Sequence, residues 1–122
     1  MRADRPACED SGFATVWVVA AIALVVAATA VAGGYSVATL ERHRAAAAAD
    51  ASALMVALDA VRGPGLACSD AALLARRNGA SVTDCVLQGS VAQVAVRVQL
   101  PGLLAGFGPA IGVARAGPAS LG

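Results

Sequence analysis

The chain has 122 residues, a length that accommodates one domain and no more. It is 58% hydrophobic but only 3% aromatic, so the sequence excludes a large core built on aromatic rings. The formal net charge is +1 and the nine basic residues, all Arg, are dispersed, which excludes the clustered basic face of a nucleic-acid-binding protein.

The first element is an apolar run over residues 13–40 that contains no charged residue. Because an α-helix rises about 1.5 Å per residue, roughly 20 apolar residues cross the hydrocarbon core of a bilayer. Trp17 and Tyr35 lie near the two ends of the run, and amphipathic rings favour the headgroup level. The pattern predicts a transmembrane helix over residues 13–40, preceded by a cytoplasmic leader over residues 1–12.

The orientation of this helix rests on the cysteines. Two arginines flank the run on each side, so the distribution of positive charge does not choose between the orientations. Cys68 and Cys85 both follow the run, and disulfides form in oxidising compartments. We therefore expect a single-pass protein of the cell membrane with a cytoplasmic N-terminus and an extracytoplasmic head over residues 41–122. Cys8 is then a free cytoplasmic thiol or is lost on processing.

The same apolar run has a second interpretation as a cleaved secretory signal. Ala30, Val31 and Ala32, which precede Gly33, satisfy the small-x-small cleavage pattern. Cleavage after Ala32 would release a small secreted binding module with an apolar tail. The length of the run and the acidic residues of the leader argue against this alternative.

A second helical pattern follows the membrane segment directly. The stretch "AAAAADASALMVALDAVR" is rich in Ala and Leu, which are strong helix formers. One stripe has helical spacing and contains Ala47, Ala51, Leu54, Leu58 and Val61. We predict that the transmembrane helix continues out of the bilayer without a break until Gly63-Pro64-Gly65 ends it.

The next segment predicts a short helix and then a β-hairpin. Ser69 is the expected N-cap of the helix, and Asn78-Gly79 is the expected C-terminal stop. The hydrophobic period then changes to two, which predicts a strand over residues 93–100 with Val94, Val96 and Val98 on its buried face. A preceding strand covers about residues 82–88, and Gly89-Ser90 suits a two-residue type II′ turn.

The hairpin register indicates a partner for Cys68. With a two-residue loop at 89–90, Cys85 falls opposite Val94 on the inner face, where the helix behind Cys68 would pack. A Cys68–Cys85 disulfide is therefore geometrically reasonable. It would close a loop of about 16 residues and contribute roughly 3 kcal/mol. The alternative is two unpaired buried thiols.

The remaining stretch of the chain is Gly-rich and apolar. Leu103, Leu104 and Phe107 are predicted to form a short turn that covers the sheet. Ile111 and Val113 are predicted to begin a third strand at the edge. The expected fold class is α+β, with a long N-terminal helix, a second short helix and a two- or three-stranded antiparallel sheet.

Residues suited to catalysis or metal binding are scarce. His43 is the only histidine and lies between two arginines where the helix leaves the bilayer, so a catalytic triad or a His-rich metal site lacks its residues. The glycines of "GGYS" and "GFGP" form neither a Walker A loop nor a dinucleotide fingerprint. Asp50 and Asp59 read as solvated helix positions. We expect no enzyme activity, no catalytic residue, no metal site and no cofactor.

Three stretches resemble TadE-like proteins, which are small single-pass subunits similar to minor pilins of tight-adherence (Flp-type) pilus and secretion machinery. "SGFATVWVVA" resembles their leader, Gly and apolar-helix start. "RHRAAAAADASALMVA" resembles the Ala-Asp helix that follows the membrane segment. The ending "NGA…C…GSVAQVAVRV…GLLAGFGPAIGVARAGP" is similar to a subgroup described from secretion and helicase neighbourhoods. Together these stretches cover most of the chain from Asp10 to Pro118.

The resemblance implies a pilin-like fold and a non-enzymatic role as a pseudopilin or accessory subunit of a Tad-type pilus or secretion apparatus. The implied partners are membrane lipid and other subunits of that apparatus, with no nucleic acid. Processing would fall between Gly12 and Phe13. Pilin-like subunits place a Glu five residues beyond the processed Gly, and this chain has Trp17 there. Small residues of the apolar helix are expected to pack against other helices: Ala28, Ala32 and Gly33.

Overall fold

The structure is a computed structural model that describes residues 11–119 of the chain. It has two α-helices and a three-stranded antiparallel sheet in the strand order β1-β2-β3. The elements are α1 (Ser11–Leu58), a short 3-10 helix (Ala60–Arg62), α2 (Pro64–Arg77), β1 (Ser81–Gln88), β2 (Val91–Val98), a second 3-10 helix (Gly102–Phe107) and β3 (Ala110–Ala116). The predicted α+β class, with a long N-terminal helix and a short second helix, is confirmed.

Contacts between residues divide the chain into two units that meet between Tyr35 and Ser36. The described part of the first unit is the apolar start of α1, and its residues over 12–33 are all exposed. By length and composition, α1 is apolar enough to cross a membrane. The second unit, described over residues 36–119, contains the rest of α1 and every other element. We call this second unit the head unit.

The predicted continuation of α1 beyond the apolar run is confirmed. α-Helical hydrogen bonding ends at Leu58, and one 3-10 turn extends the helix as far as Arg62. Gly63 then takes a φ of 94°, which the backbone of an L-residue rarely adopts. The chain therefore turns at the predicted Gly-Pro-Gly sequence, although the last turn before it is tighter than an α-helix.

The predicted start of α2 is wrong. Ser69 is not its N-cap, because the helix begins five residues earlier at Pro64 with Gly63 as N-cap. Pro is favoured at the first helical position, since its fixed φ suits the helix and its missing N–H has no helical partner there. The Ser69 hydroxyl instead donates to the carbonyl oxygen of Leu66 within the helix, at 2.8 Å. The predicted stop is confirmed, with Asn78 as C-cap.

The predicted hairpin and its register are confirmed, although β2 covers Val91–Val98 and ends before the predicted Gln99 and Leu100. β1 and β2 are antiparallel, Gln88 pairs with Val91, and Cys85 pairs with Val94. Gly89 has a φ of 62° and no described non-glycine residue has a positive φ, which fits type II′ and excludes type I′. One irregularity was not predicted: the register shifts between Val82 and Asp84, where one extra residue forms a bulge.

The core of the head unit lies between the inner face of the sheet and helix faces made of small residues. The predicted inner residues Val94, Val96 and Val98 are buried. On α2 the buried residues recur every fourth position as Ala67, Ala71 and Ala75. On α1 the buried residues of this core are Ala45, Ala48, Ala49, Ser52, Ala53 and Val56.

The large residues of the predicted stripe lie outside this core. Leu54 and Leu58 of α1 are 58% and 81% exposed, and Val61, in the 3-10 helix that follows, is 96% exposed. The helical spacing of these residues did predict a helix, but the face that packs on the sheet is the neighbouring one, rich in Ala. A small side chain allows a closer approach of backbones than Leu does, and this closeness decides which face of α1 is buried.

The end of the chain confirms the third strand and corrects the turn before it. β3 is an edge strand that pairs with β2 only, and it includes Ile111 and Val113. The turn forms as the second 3-10 helix, Gly102–Phe107, which we call the apolar loop. Two of the three predicted residues do not cover the sheet, because Leu103 and Phe107 are 98% and 85% exposed, whereas Leu104 is half-buried.

Candidate functional surfaces

A disulfide joins α2 to β1. Cys68 lies in the second turn of α2, Cys85 lies on the inner face of β1, and the two Sγ atoms are bonded, with the Cα atoms 6.0 Å apart. Both residues pack against the buried core. The structure therefore brings the predicted pair together as a bridge and not as two separate thiols. The bridge fixes the helix that covers one edge of the sheet.

The backbone of α1 contacts β3 directly. A Cβ built on Gly112 would lie 2.5 Å from the carbonyl carbon of Ala45 and 2.9 Å from the amide nitrogen of Ala46. Only a residue without a side chain permits this approach. Gly112 therefore sets the distance between the helix and the sheet, and it was not singled out by the sequence analysis.

A charged cluster follows the apolar run on α1. Glu41 is 7% exposed and its carboxylate accepts a hydrogen bond from Nη1 of Arg44 at 3.0 Å. Arg42, His43 and Arg44 are exposed. The cluster therefore presents positive charge to solvent, while its single acid is buried within the head unit. The burial of Glu41 was not predicted.

Two threonine side chains of the apolar run bond to the helix itself. Thr29 donates its hydroxyl to the carbonyl oxygens of Val25 and Val26, and Thr15 donates to that of Gly12. Such internal bonds suit a helix in lipid, where no water is present to replace them. Near the N-terminal end, Phe13 and Trp17 stack edge to face with ring centroids 6.1 Å apart.

The residues predicted for processing and helix packing all lie in α1. Gly12 and Phe13 form its first turn, and Ala30, Ala32 and Gly33 lie within the uninterrupted helix. A Cβ at Gly33 would meet no other atom within 4 Å. Ala28 and Ala32 are exposed. Processing, signal cleavage and packing through these residues stay predictions, and Cys8 with the rest of the leader before Ser11 lies outside the described residues.

A shallow groove runs between α1 and α2 in the head unit. It has a volume of about 290 Å³ and is lined by Met55, Leu73, Leu74, Asp70 and Arg77. Its acid is already paired, since Asp70 accepts a hydrogen bond from Nη1 of Arg62 at 2.9 Å. Within residues 11–119, no group of three or more His, Cys, Asp or Glu side chains is placed to hold a metal ion.

Comparisons with protein-family models, with curated proteins and with solved structures found no match for this chain. The chain itself presents three surfaces that bear on its function: the exposed apolar part of α1, the charged cluster that follows it and the disulfide-bridged head unit.

The burial of Glu41 and Ser52 in the head unit was not predicted from the sequence, and the cause is the same for both. Glu41 and Ser52 are polar residues on the Ala-rich face of α1, and both are buried. Hydrophobic periodicity assigns polar residues to the solvent side, so it excludes them from the core. A search for small residues at helical spacing, such as Ala45, Ala49 and Ala53, would have found this face.

Proposed function

We propose that the protein is a non-enzymatic, membrane-anchored TadE-like pseudopilin or accessory subunit of a Tad-type pilus or secretion apparatus. The observation that carries the proposal is that α1 is exposed along its apolar part and packs into a core along its second part. The residues of α1 over 12–33 are exposed and apolar, whereas those from Ala45 to Val56 form one side of the head core. A helix that anchors at one end and carries a disulfide-bridged α+β head at the other suits such a subunit.

The disulfide supports one orientation of the proposed anchor. A bond between Cys68 and Cys85 persists in an oxidising compartment, which favours a head unit outside the cytoplasm and an N-terminus inside. The anchor would then associate laterally with other apolar helices through its small residues. Ala28 and Ala32 lie four residues apart on one face of α1, a spacing that lets two helices approach closely in lipid.

Trp17 bears on filament formation. If processing occurs after Gly12, the position that carries a Glu in pilin-like subunits carries an uncharged ring. An acid in lipid is costly to insert unless it is paired, so Trp17 inserts more easily but offers no charge to a neighbouring subunit. The proposal therefore favours an accessory subunit over the main subunit of a filament.

The test is membrane fractionation of cells that produce the full chain, followed by co-purification with the secretion components. We expect the protein in the membrane pellet after alkaline extraction, together with those components. A double Ala28→Leu, Ala32→Leu variant should stay in the membrane but lose its partners, whereas the matched Val25→Leu variant should retain them. Recovery of the full chain as a soluble cytosolic monomer would overturn the proposal.

A second function is a small secreted binding module released by cleavage after Ala32. One observation favours it: the boundary between the two units, at Ser36, lies only three residues beyond Gly33, so cleavage there would leave the head unit whole. N-terminal sequencing of the mature protein separates the two functions. Met1 or Phe13 at the N-terminus supports the anchored subunit, and Gly33 supports the secreted module.

A further inference from the structure

The apolar loop exposes two large side chains without an evident role in the fold. Leu103 is 98% exposed and Phe107 is 85% exposed. No charged residue occurs between Arg97 and Arg115. Single exposed apolar residues are common on soluble proteins, but a Leu and a Phe on one short uncharged loop indicate a surface that is covered in the working protein.

The sheet topology places this loop at one end of the sheet. The loop joins β2 to β3, whose pairs run from Val98↔Ala110 beside the loop to Ala92↔Ala116 at the other end. The turn at 89–90 joins β1 to β2 at that other end. Because a strand rises about 3.3 Å per residue, the eight residues of β2 separate the two ends by roughly 23 Å.

The direction of α1 along the sheet follows from two contacts. Ala45 lies against Gly112, which is the third residue of β3 and therefore close to the loop end. α1 then leads through Gly63 into the start of α2, and α2 ends at Arg77, shortly before β1 begins with Ser81 at the loop end. Cys68, in the second turn of α2, is bonded to Cys85 in the middle of β1, so the start of α2 lies further toward the turn end. From Ala45 onward, α1 therefore runs from the loop end of the sheet toward the turn end.

The loop consequently lies level with the point where the uncharged run of α1 ends. Leu40, the last residue of that run, lies five residues before Ala45, which is about 7.5 Å along the helix. Ala110 lies two residues before Gly112, which is about 6.6 Å along the strand, and the loop directly precedes it. The two distances are similar. If α1 spans a bilayer up to Leu40, this level is the lipid surface.

We propose that the apolar loop inserts Leu103 and Phe107 into the interfacial layer of the leaflet from which α1 emerges, so that the head unit rests on the lipid surface. The inference rests on the proposed membrane anchoring of α1. Leu and Phe side chains partition favourably into this layer, and the loop backbone stays within reach of water there. Arg42 and His43, exposed at the same level, lie where lipid phosphates provide the opposite charge.

The experiment uses tryptophan fluorescence of the full chain in phospholipid vesicles that carry quenchers at defined depths. Trp17 is the only tryptophan of the chain and reports on the anchor. A Trp17→Phe, Phe107→Trp variant reports on the loop. The matched control, Trp17→Phe with Ser90→Trp, places the same probe at the opposite end of the sheet. A non-reducing gel shift after thiol labelling shows whether each variant retains its disulfide.

We expect headgroup-level quenchers to quench Trp17, because it lies near one end of the apolar run. The same quenchers should quench the tryptophan at position 107 several-fold more than the one at position 90. A Trp17→Phe, Leu103→Trp variant should give the same result, and it tests the loop independently if the Phe107→Trp variant does not fold. Quenching of Trp17 with equal, weak quenching at positions 107 and 90 would overturn the loop proposal alone. An unquenched Trp17 would overturn the anchoring, and the loop proposal with it.

Discussion

Replacing Gly112 by Ala tests whether α1 and β3 pack backbone to backbone. The added Cβ would lie 2.5 Å from the carbonyl carbon of Ala45, where ordinary contacts are 3.4–4 Å. The atoms it meets belong to the main chain of a helix, so no side-chain rotation relieves the overlap. The helix has to retreat by about 1 Å, and a gap of that size forfeits roughly a quarter to a half of each dispersion contact across the interface.

The expected loss of stability is about 2 kcal/mol, within the range of about 1–3 kcal/mol for methyl groups forced into a packed core. The intrinsic backbone preference has the opposite sign, since Gly within a strand is roughly 0.5–1 kcal/mol less favourable than Ala. A loss of stability in Gly112→Ala therefore indicates the clash with α1, whereas a gain indicates that the backbone preference for Ala dominates. For a domain of this size, a loss of 2 kcal/mol lowers Tm by about 8–16 °C.

The assay is thermal unfolding of the full chain in detergent, followed by far-UV circular dichroism, with hydrogen exchange at the β3 amides to assign the loss to the head unit. The matched control is Gly65→Ala, where the new Cβ has no neighbour within 4 Å. Gly65 lies in α2, so this variant should be as stable as the wild type or up to about 1 kcal/mol more stable. A Gly112→Ala protein with unchanged or higher Tm would refute the close packing.

Three further predictions concern the same core. Ser52→Ala should raise the free energy of unfolding by about 1 kcal/mol in denaturant titration, because the Ser52 hydroxyl is buried without a hydrogen-bond partner. Val56→Ala should cost about 2 kcal/mol by the same titration, whereas Leu58→Ala should cost less than about 0.5 kcal/mol, and equal losses would contradict the assignment of the packed face. Cys85→Ser should cost about 2–5 kcal/mol, and thiol labelling of denatured, non-reduced wild type should leave Cys68 and Cys85 unlabelled.

The hairpin could be predicted from sequence because local chemistry determines it. A Gly-Ser pair with strand patterns on both sides permits a two-residue turn, and that turn sets every cross-strand pair. Counting residues back from the turn pairs Cys85 with Val94. This pairing puts Cys85 on the inner face of the sheet, where the helix that contains Cys68 packs, and so it predicts the disulfide. The bulge after Val82 carries no such signal, since no Gly or Pro marks it.

The packed face of α1 could not be predicted from hydrophobic periodicity. Leu54 and Leu58 dominate such a pattern because they are strongly apolar, yet the sheet lies against the face of Ala45 and Ala49. Ala contributes little to a hydrophobic pattern, but its small side chain permits contact between backbones. Here the close packing also requires a Gly in the partner strand at the point where the helix crosses it. The two halves of this contact, Ala45 and Gly112, are far apart in sequence.

A core of this kind depends on closeness more than on large side chains. Among the described residues, the largest fully buried side chains are Val56, Val94, Val96 and Ser52. At about 0.8 kcal/mol for each buried methylene, such small groups contribute little apolar burial per residue. The disulfide and the contact at Gly112 therefore carry an unusual share of the stability of the head unit. α1 continues past Leu40 because its residues from Ala45 to Val56 form one side of this core. The same helix therefore contains the apolar run and a structural part of the head unit.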